Sequence, residues 1–519
     1  MSFGPPRTIA FATLGLVLLA CSESGPPAPS SSQPAPLSRL APGARPNVLV
    51  IMSDDQSSDT LSSAGHPWLE TPNLDRIASE GVRFSNAFVT TSVCSPARAS
   101  FLTGLWVRAH GVHDNLTPLP PDLPNAASVL AAAGWDTAYF GKWHMGTQLE
   151  RPGFAHAWSY LDQGQYRMSE FHSDGTRFGR APEGFVDDIT TTFAVRWLKQ
   201  ERDRPFLAWV GFKAAHGPRE PKAELADLFA GVTPPTPPSV DALPPYPRPG
   251  EFQELAAAAG IAPREFEPPD DWAAGFERPI KEQGAFTGES MLDYTRLIAG
   301  LDENVGRLLD TLDTLGLAEN TIVVFVSDNG YLHGQHGSSG KRTAYDESLR
   351  VPFLLRWPAG IEAGQLPREL VLNVDLAPTL IDLAGVAVPA SMQGRSVRSL
   401  VAPESGEEAA AWRSAFVCEY YRHDAWLQAH YAIPTHFALR SERAKYVTYP
   451  GHPGWEEVFD LVRDPLEMQN LAARPETPQP SGGPAAAGPE EAAPNPRDLR
   501  AHLARLESEL GPRLDLGRR

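Results

Sequence analysis

Two uninterrupted apolar runs constrain this chain more than any other feature. Residues 47–53 read NVLVIMS and residues 321–327 read TIVVFVS. A strand with one face in water alternates apolar and polar side chains. An unbroken run instead suits a strand covered on both faces, as in a parallel sheet between helical layers. Ahead of the second run, Leu297, Leu301, Val305, Leu308, Leu312 and Leu315 recur at helical spacing, and Gly316 supplies a stop. Residues 137–140, 206–211 and 351–356 are shorter strand candidates. Strands alternating with helices predict an α/β sheet, and such sheets bind ligands beyond the carboxyl ends of their strands. Both long runs end there in acidic groups, Asp54-Asp55 after the first and Asp328-Asn329-Gly330 after the second.

The rest of the chain divides by composition. Residues 1–20 read as a signal peptide, because the apolar stretch 9–20 follows Arg7 and is too short for a membrane span. Leu18-Leu19-Ala20-Cys21 resembles a bacterial lipobox, which implies lipidation of Cys21. Ser22 in place of Asp favours the outer membrane by the same resemblance. Residues 21–45 are Pro/Ser-rich and form a tether. Residues 46–400 make the main domain, within which the Pro-rich residues 217–285 are a long excursion over the strand ends. Residues 401–475 hold short β-like pieces that predict a small α+β domain. A Pro/Ala-rich loop, 476–494, and a final helix with its tail, 495–519, complete the chain. In that helix Leu499, Leu503, Leu506 and Leu510 form a packing stripe.

The net charge of −18 argues against nucleic-acid or anionic-membrane binding, which requires a basic surplus. It does not exclude a small anionic substrate in a local basic pocket. Three cysteines, Cys21, Cys94 and Cys418, are too few and too scattered for a disulfide framework.

Cys94-Ser95-Pro96-Ala97-Arg98 opens a segment that ends at Thr103-Gly104. The early Pro and late Gly predict a helix, with Cys94 at the end where exposed amides favour negative charge and Arg98 one turn on, over the same face. Alone, a cysteine at a helix start is more often a small buried apolar residue. Each acidic cluster also has a plain reading, Asp54-Asp55 as a helix cap and Asp328-Asn329-Gly330 as a turn. As ligands, Asp54, Asp55, Asp328 and Asn329 offer hard oxygen donors that suit Ca²⁺ or Mg²⁺ better than Zn²⁺.

The longer string decides between these readings. From Cys94 to Gly104 it resembles the sulfatase signature C-x-P-[SA]-R-x-x-[FL]-x-T-G throughout. The resemblance continues through Pro46-Asn47-Val48, Asp54-Asp55-Gln56, Thr71-Pro72-Asn73-Leu74-Asp75, Gly141-Lys142-Trp143-His144, Ser327-Asp328-Asn329-Gly330 and Phe459-Asp460-Leu461. It implies an alkaline-phosphatase-like fold, a large mixed and mostly parallel sheet flanked by helices, with a smaller C-terminal α+β domain. It also implies that Cys94 is oxidised by a maturation enzyme to formylglycine, whose hydrate attacks sulfur while a Ca²⁺ ion polarises the ester. By the same resemblance Lys142 and Lys341 hold sulfate oxygens. His144 takes the hydrate's proton as sulfate leaves, His216 protonates the departing alcohol, and Arg98 completes the catalytic group. Lys142 and His144 stand two residues apart, so in an extended strand end both point the same way.

Other residues match no core catalytic position. His333 and His336 either line a sugar pocket or shape a loop, Cys418 packs in the small domain, and His110 and His113 stay open. The stretch 327–352 resembles glycan sulfatases, the N-acetylglucosamine-6-sulfatase branch among them. The expected substrate is therefore a sulfated sugar or an aryl sulfate ester, with no nucleic-acid partner and membrane contact only through the lipid anchor. Two alternatives stand beside this reading: a phosphonate or phosphodiester hydrolase of the same superfamily, and a non-catalytic lipoprotein that captures sulfated glycans.

Overall fold

The computed structural model describes residues 45–167, 169–174, 176–177, 183–247, 254, 257–258, 260, 288–403, 411–422, 433–472 and 493–515. The expected signal peptide and lipidation site, Cys21, nearly all of the expected tether, and most of the Pro-rich excursion after residue 247 and of the loop 476–494 lie outside these residues.

Nine strands build the main sheet: β1 (Asn47–Ser53), β2 (Val82–Arg83), β3 (Asp136–Lys142), β4 (His156–Tyr160), β5 (Phe171–Ser173), β6 (Thr176–Arg177), β7 (Phe206–Gly211), β8 (Thr321–Ser327) and β9 (Phe353–Arg356). Their order is β2-β9-β8-β1-β7-β3-β4-β5-β6. The five central strands run parallel, and both edges are antiparallel. This is the mixed, mostly parallel sheet expected.

The apolar runs are unbroken because each strand feeds two cores. Val48, Val50 and Met52 of β1 join Ile322, Val324 and Val326 of β8 on one face. Leu49 and Ile51 meet Val323 and Phe325 on the other. Helices α1 (Pro72–Ser79), α2 (Cys94–Thr103), α3 (Val186–Leu198), α4 (Gly288–Thr314) and α5 (Leu376–Leu383) cover these faces. Side chains of α1, α3 and α4 pack with Leu49, and those of α2 and α5 pack with Val48. A polar residue at any of these strand positions would enter a dry core at a cost of several kcal/mol, about 2–7 by transfer scales.

The structure departs from the periodicity reading in two places. Leu315 lies beyond the end of α4 and is 37% exposed, because Gly316, at φ 66°, turns the chain away. The candidate strand at 351–356 starts only at Phe353. Pro352 has no N–H to offer a ladder, and the Val351 amide donates instead to the Ala87 carbonyl outside the sheet.

The C-terminal strands β10 (Ala415–Tyr420), β11 (His436–Ser441), β12 (Ala444–Thr448) and β13 (Glu456–Asp460) form an antiparallel meander. One face, including Cys418, joins the main core. The other carries Val417, Phe437 and Leu439 against Leu503 of the last helix, α6 (Pro496–Leu510), whose partly buried Leu499, Leu506 and Leu510 complete the stripe. Among the described residues no helix is long and apolar enough to cross a membrane.

Candidate active site

Strand register builds the centre of the site. Within the β1–β8 pair Ser53 stands opposite Ser327, so Asp54-Asp55 and Asp328-Asn329 leave the sheet at one level. The Asp55 amide donates to Asp328 Oδ1 (3.1 Å) across 273 residues of sequence, and Asn329 Nδ2 donates to Asp55 Oδ1 (2.6 Å). Asp55 adopts a left-handed backbone (φ 60°), which aspartate tolerates better than most residues.

Helix α2 brings the cysteine to this point. Cys94 is its first residue, fully buried, with Sγ 3.5 Å from Asp54 Oδ1 and 2.7 Å from Lys341 Nζ. Arg98, one turn along, donates through Nε to Asp328 Oδ2 (2.8 Å) and through Nη1 to the Lys142 carbonyl (2.8 Å). The planar guanidinium thus ties helix, acidic strand end and lysine segment into one rigid unit. Lys142 donates to Asp54 and Gln163, and Lys341 to Asp55.

Burial and charge set the protonation states. Burial alone would raise Asp54, but Lys142, His216, Arg98 and Lys341 together hold it well below the usual carboxylate range. Asp328 behaves oppositely, since burial and the neighbouring Asp54 charge push it up to about 6. Burial also lifts Cys94 to about 12, so the unmodified thiol carries its proton at neutral pH and is a poor nucleophile. For Lys341 burial works against the charge, yet Asp55 and its neighbours keep the ammonium well above its ordinary value.

The donor set fits a hard divalent cation. One ligand atom from each of Asp54, Asp55, Cys94 and Asp328 lies within 4.8 Å of the others. Asn329 Oδ1 is buried beside them without a hydrogen-bond partner among the described residues. A cation would satisfy such an orphaned amide oxygen and the neighbouring carboxylates, and oxygen donors of this kind suit calcium or magnesium.

The histidines reach the site by a different path from the one their spacing suggested. Lys142 ends β3, but His144 has left the strand and sits at φ 54°, so the alternation rule does not apply. Gly141 starts this departure. It has φ 81°, and a Cβ there would lie 2.1 Å from the Gly211 carbonyl oxygen. What unites Lys142 and His144 is Gln163, whose Oε1 accepts from Lys142 and whose Nε2 lies 3.0 Å from His144 Nε2. An ammonium can only donate, which fixes the amide orientation and turns Gln163 Nε2 toward His144 Nε2, a nitrogen that also has Asp162 Oδ1 at 3.4 Å. Burial and the Lys142 charge push His144 down to about 3, so its ring is neutral. His216 follows β7, with Nε2 3.8 Å from Asp55 Oδ2 and Nδ1 2.6 Å from the Gly217 carbonyl. The carbonyl requires the proton on Nδ1, and burial lowers His216 to about 4. His216 therefore acts as a leaving-group acid only after Nε2 has gained a proton.

Gln163 is a residue that sequence reasoning missed. It lies in the turn-forming stretch Leu161 to Tyr166, where nothing marks it apart from other polar loop residues. Lys213 is a second such residue. Its Nζ donates to the Gln163 carbonyl (3.3 Å), and burial lowers it to about 8. Replacement of Gln163 by alanine is expected to lower kcat about ten- to a hundredfold, the range a loosened catalytic pair produces. Steady-state kinetics check this, and an unchanged kcat would remove Gln163 from the site.

The residues left open resolve as follows. His336 is buried, stacks on Tyr345 at 3.6 Å and bonds the Ala242 carbonyl, so it shapes the loop that leads to Lys341. His110, at the end of the short helix Val107–His110, bonds Ser100 of α2, and His113 bonds the Gly111 carbonyl two residues back.

Comparisons with known proteins agree with this geometry. A family model described as Sulfatase matches residues 46–386, and one described as N-sulphoglucosamine sulphohydrolase, C-terminal, matches residues 334–480. The chain is 30% identical over 487 residues to an N-acetylglucosamine-6-O-sulfatase of Bacteroides thetaiotaomicron, covering 83% of each chain. It is 29% identical to an ulvan-active sulfatase of Formosa agariphila, covering 91% of this chain and 83% of the relative. A solved structure in complex with its substrate D-glucosamine-2-N,6-O-disulfate superposes with a TM-score of 0.72 at 28% identity, covering 90% of this chain and 98% of that one.

Proposed function

We propose, from the premise that this chain belongs to the sulfatase family, that it removes the 6-O-sulfate from an N-acetylglucosamine-type sugar with a formylglycine made from Cys94 and one calcium ion. The chain is a sulfuric ester hydrolase acting on a sulfated sugar. The formylglycine and metal reading is carried by one observation, the meeting of Cys94 with Asp54, Asp55 and Asp328 in a buried centre, and the choice of sugar is supported by the likeness to the N-acetylglucosamine-6-O-sulfatase.

Hydrated formylglycine supplies two hydroxyls on one carbon, one to displace the sugar alcohol from sulfur and one whose deprotonation expels sulfate. Asp54, Asp55, Asp328 and Asn329 would hold the calcium ion, which would supply Lewis acidity toward the sulfate ester. Lys142 and Lys341 bring positive charge to the sulfate, in a buried centre where charge interactions exceed those in water. Arg98 holds Asp328 and the Lys142 backbone and so orients both groups. The neutral imidazole of His144 moves the proton from residue 94, and Gln163 orients that ring. His216, on the Asp55 side, would take up at Nε2 the proton that the attacking hydroxyl releases and pass it to the departing alcohol.

The test is a mass measurement on the peptide containing residue 94 together with sulfate release from N-acetylglucosamine 6-sulfate. Exchange of sulfur for oxygen at that residue and release of sulfate are expected. A peptide of unmodified cysteine from active enzyme would sink the formylglycine reading.

We also read the protein as a bacterial lipoprotein exported from the cytoplasm and anchored through Cys21, in agreement with a polysaccharide or oligosaccharide substrate. Cys21→Ala should move it from the membrane to the soluble fraction. Unchanged fractionation would overturn the anchor.

A further inference from the structure

The wall beyond His216 holds a positive group that the sulfate chemistry leaves unused. Arg219 follows His216 across Gly217-Pro218, and its guanidinium lies 4.9 Å from the ring centroids of both Tyr294 and Tyr331. Nη1 donates to the Ser290 carbonyl (3.3 Å) and to Ser290 Oγ (2.7 Å). Nε is buried without a hydrogen-bond partner, and among the described residues no carboxylate pairs with this arginine. His333 packs on the same rings, with centroids 4.2 Å from Tyr294 and 4.8 Å from Tyr331, and its Nε2 is likewise buried without a partner among the described residues. Burial and the Arg219 charge hold the His333 ring neutral, so Nε2 can carry the single ring proton and donate it.

This cluster adjoins the reaction centre. Tyr294 Oη donates to the Asp55 carbonyl (2.8 Å) and accepts from the Ser57 amide (2.8 Å), while Ser57 Oγ donates to the Tyr331 carbonyl (3.1 Å). With His216 as the group that protonates the departing alcohol, the sugar's further substituents would lie toward Arg219, three residues on. Securing the start of α4 uses one nitrogen of the guanidinium and does not need a charge. A partly buried cation packed against two rings, with no carboxylate paired to it among the described residues, leaves guanidinium donors free for an anion.

We infer that Arg219, with Tyr331 and His333, forms a second anion subsite that takes a sulfate or carboxylate carried by the sugar being cleaved or by its neighbour. The inference rests on the glycan reading above. Sulfate and carboxylate share the negatively charged, multi-oxygen chemistry that a guanidinium recognises, so the experiment separates them.

The full-length enzyme, Arg219→Gln and Arg219→Lys are compared on an aryl sulfate, N-acetylglucosamine 6-sulfate, glucosamine 2-N,6-O-disulfate and a uronate-containing disaccharide 6-sulfate. The unsubstituted enzyme should favour at least one substrate that carries the second anion. In Arg219→Gln the kcat/KM ratio of that substrate over N-acetylglucosamine 6-sulfate should fall about ten- to a hundredfold, mainly through KM, as loss of a charge-assisted contact produces. Arg219→Lys should restore part of the ratio. Preference for the disulfate assigns the subsite to sulfate, and preference for the disaccharide assigns it to carboxylate. An equal loss on all four substrates would make Arg219 purely structural and overturn the inference, as would a ratio that does not move. Turnover of N-acetylglucosamine 6-sulfate with no gain from a second anion removes the subsite and leaves the glycan reading intact. Turnover of the aryl sulfate alone removes both.

Discussion

Cys94→Ala is expected to lower sulfate-ester turnover by at least about ten-thousandfold, the scale seen when a covalent nucleophile is deleted from a site whose other groups remain. The remaining groups are rigidly held, since Arg98 joins Asp328 to the Lys142 backbone and Asn329 is bonded to Asp55. They can still bind sulfate but have nothing to transfer it to. Folding should be little affected, because the substitution removes only one or two heavy atoms from a buried side chain, a cost of about 1 kcal/mol. Cys94→Ser should be almost as inactive. A serine hydroxyl can displace the alcohol once, but it has no second hydroxyl on the same carbon to expel the sulfate. Turnover of an aryl sulfate at substrate saturation, alongside a denaturation curve, tests both variants. Activity within tenfold of the parent enzyme would exclude residue 94 as the nucleophile.

Asp328→Ala should be the next most damaging change, with activity down at least about a thousandfold and the half-saturating calcium concentration raised at least about a hundredfold. Asp328 is at once a candidate ligand and the partner of a buried guanidinium, and both roles depend on its charge. Burial and Asp54 push its carboxyl up to about 6. Because the pKa is raised above the ordinary carboxylate value, the proton is bound more tightly in the folded protein than in the unfolded one. The metal-free protein therefore loses stability as pH rises from about 4 to about 6, where Asp328 must ionise in a crowded acidic centre. Calcium opposes this trend and competes with the proton, so its affinity should decline as pH falls below about 6. Titration of chelator-treated enzyme with calcium at several pH values measures these effects. An unchanged half-saturating concentration in the variant would take Asp328 off the ligand set.

How much of this was legible beforehand differs from residue to residue. The runs at 47–53 and 321–327 were readable as doubly covered strands because burial on both faces removes every polar position locally. The helix from Cys94 to Thr103 was readable because Pro96 and Gly104 mark its ends. Leu315 and Val351 were misjudged at element edges, where a neighbouring Gly or Pro overrides a hydrophobic pattern. The Lys142–His144 pair was expected to converge, but on the wrong grounds: a left-handed turn and Gln163 unite the two side chains, not strand alternation.

Local sequence by itself determined what kinds of atoms this protein can offer, namely hard oxygen donors at two strand ends, a cysteine at a helix start and lysines near glycines. Those are properties of neighbouring residues, carried by the covalent chain. Only the tertiary structure decided that they meet. The alignment of Ser53 with Ser327, the arrival of Gln163 between Lys142 and His144, and the seat of Arg219 against two tyrosine rings all depend on contacts between remote segments. No short-range pattern encodes such contacts, because they follow from how whole faces of the sheet are covered.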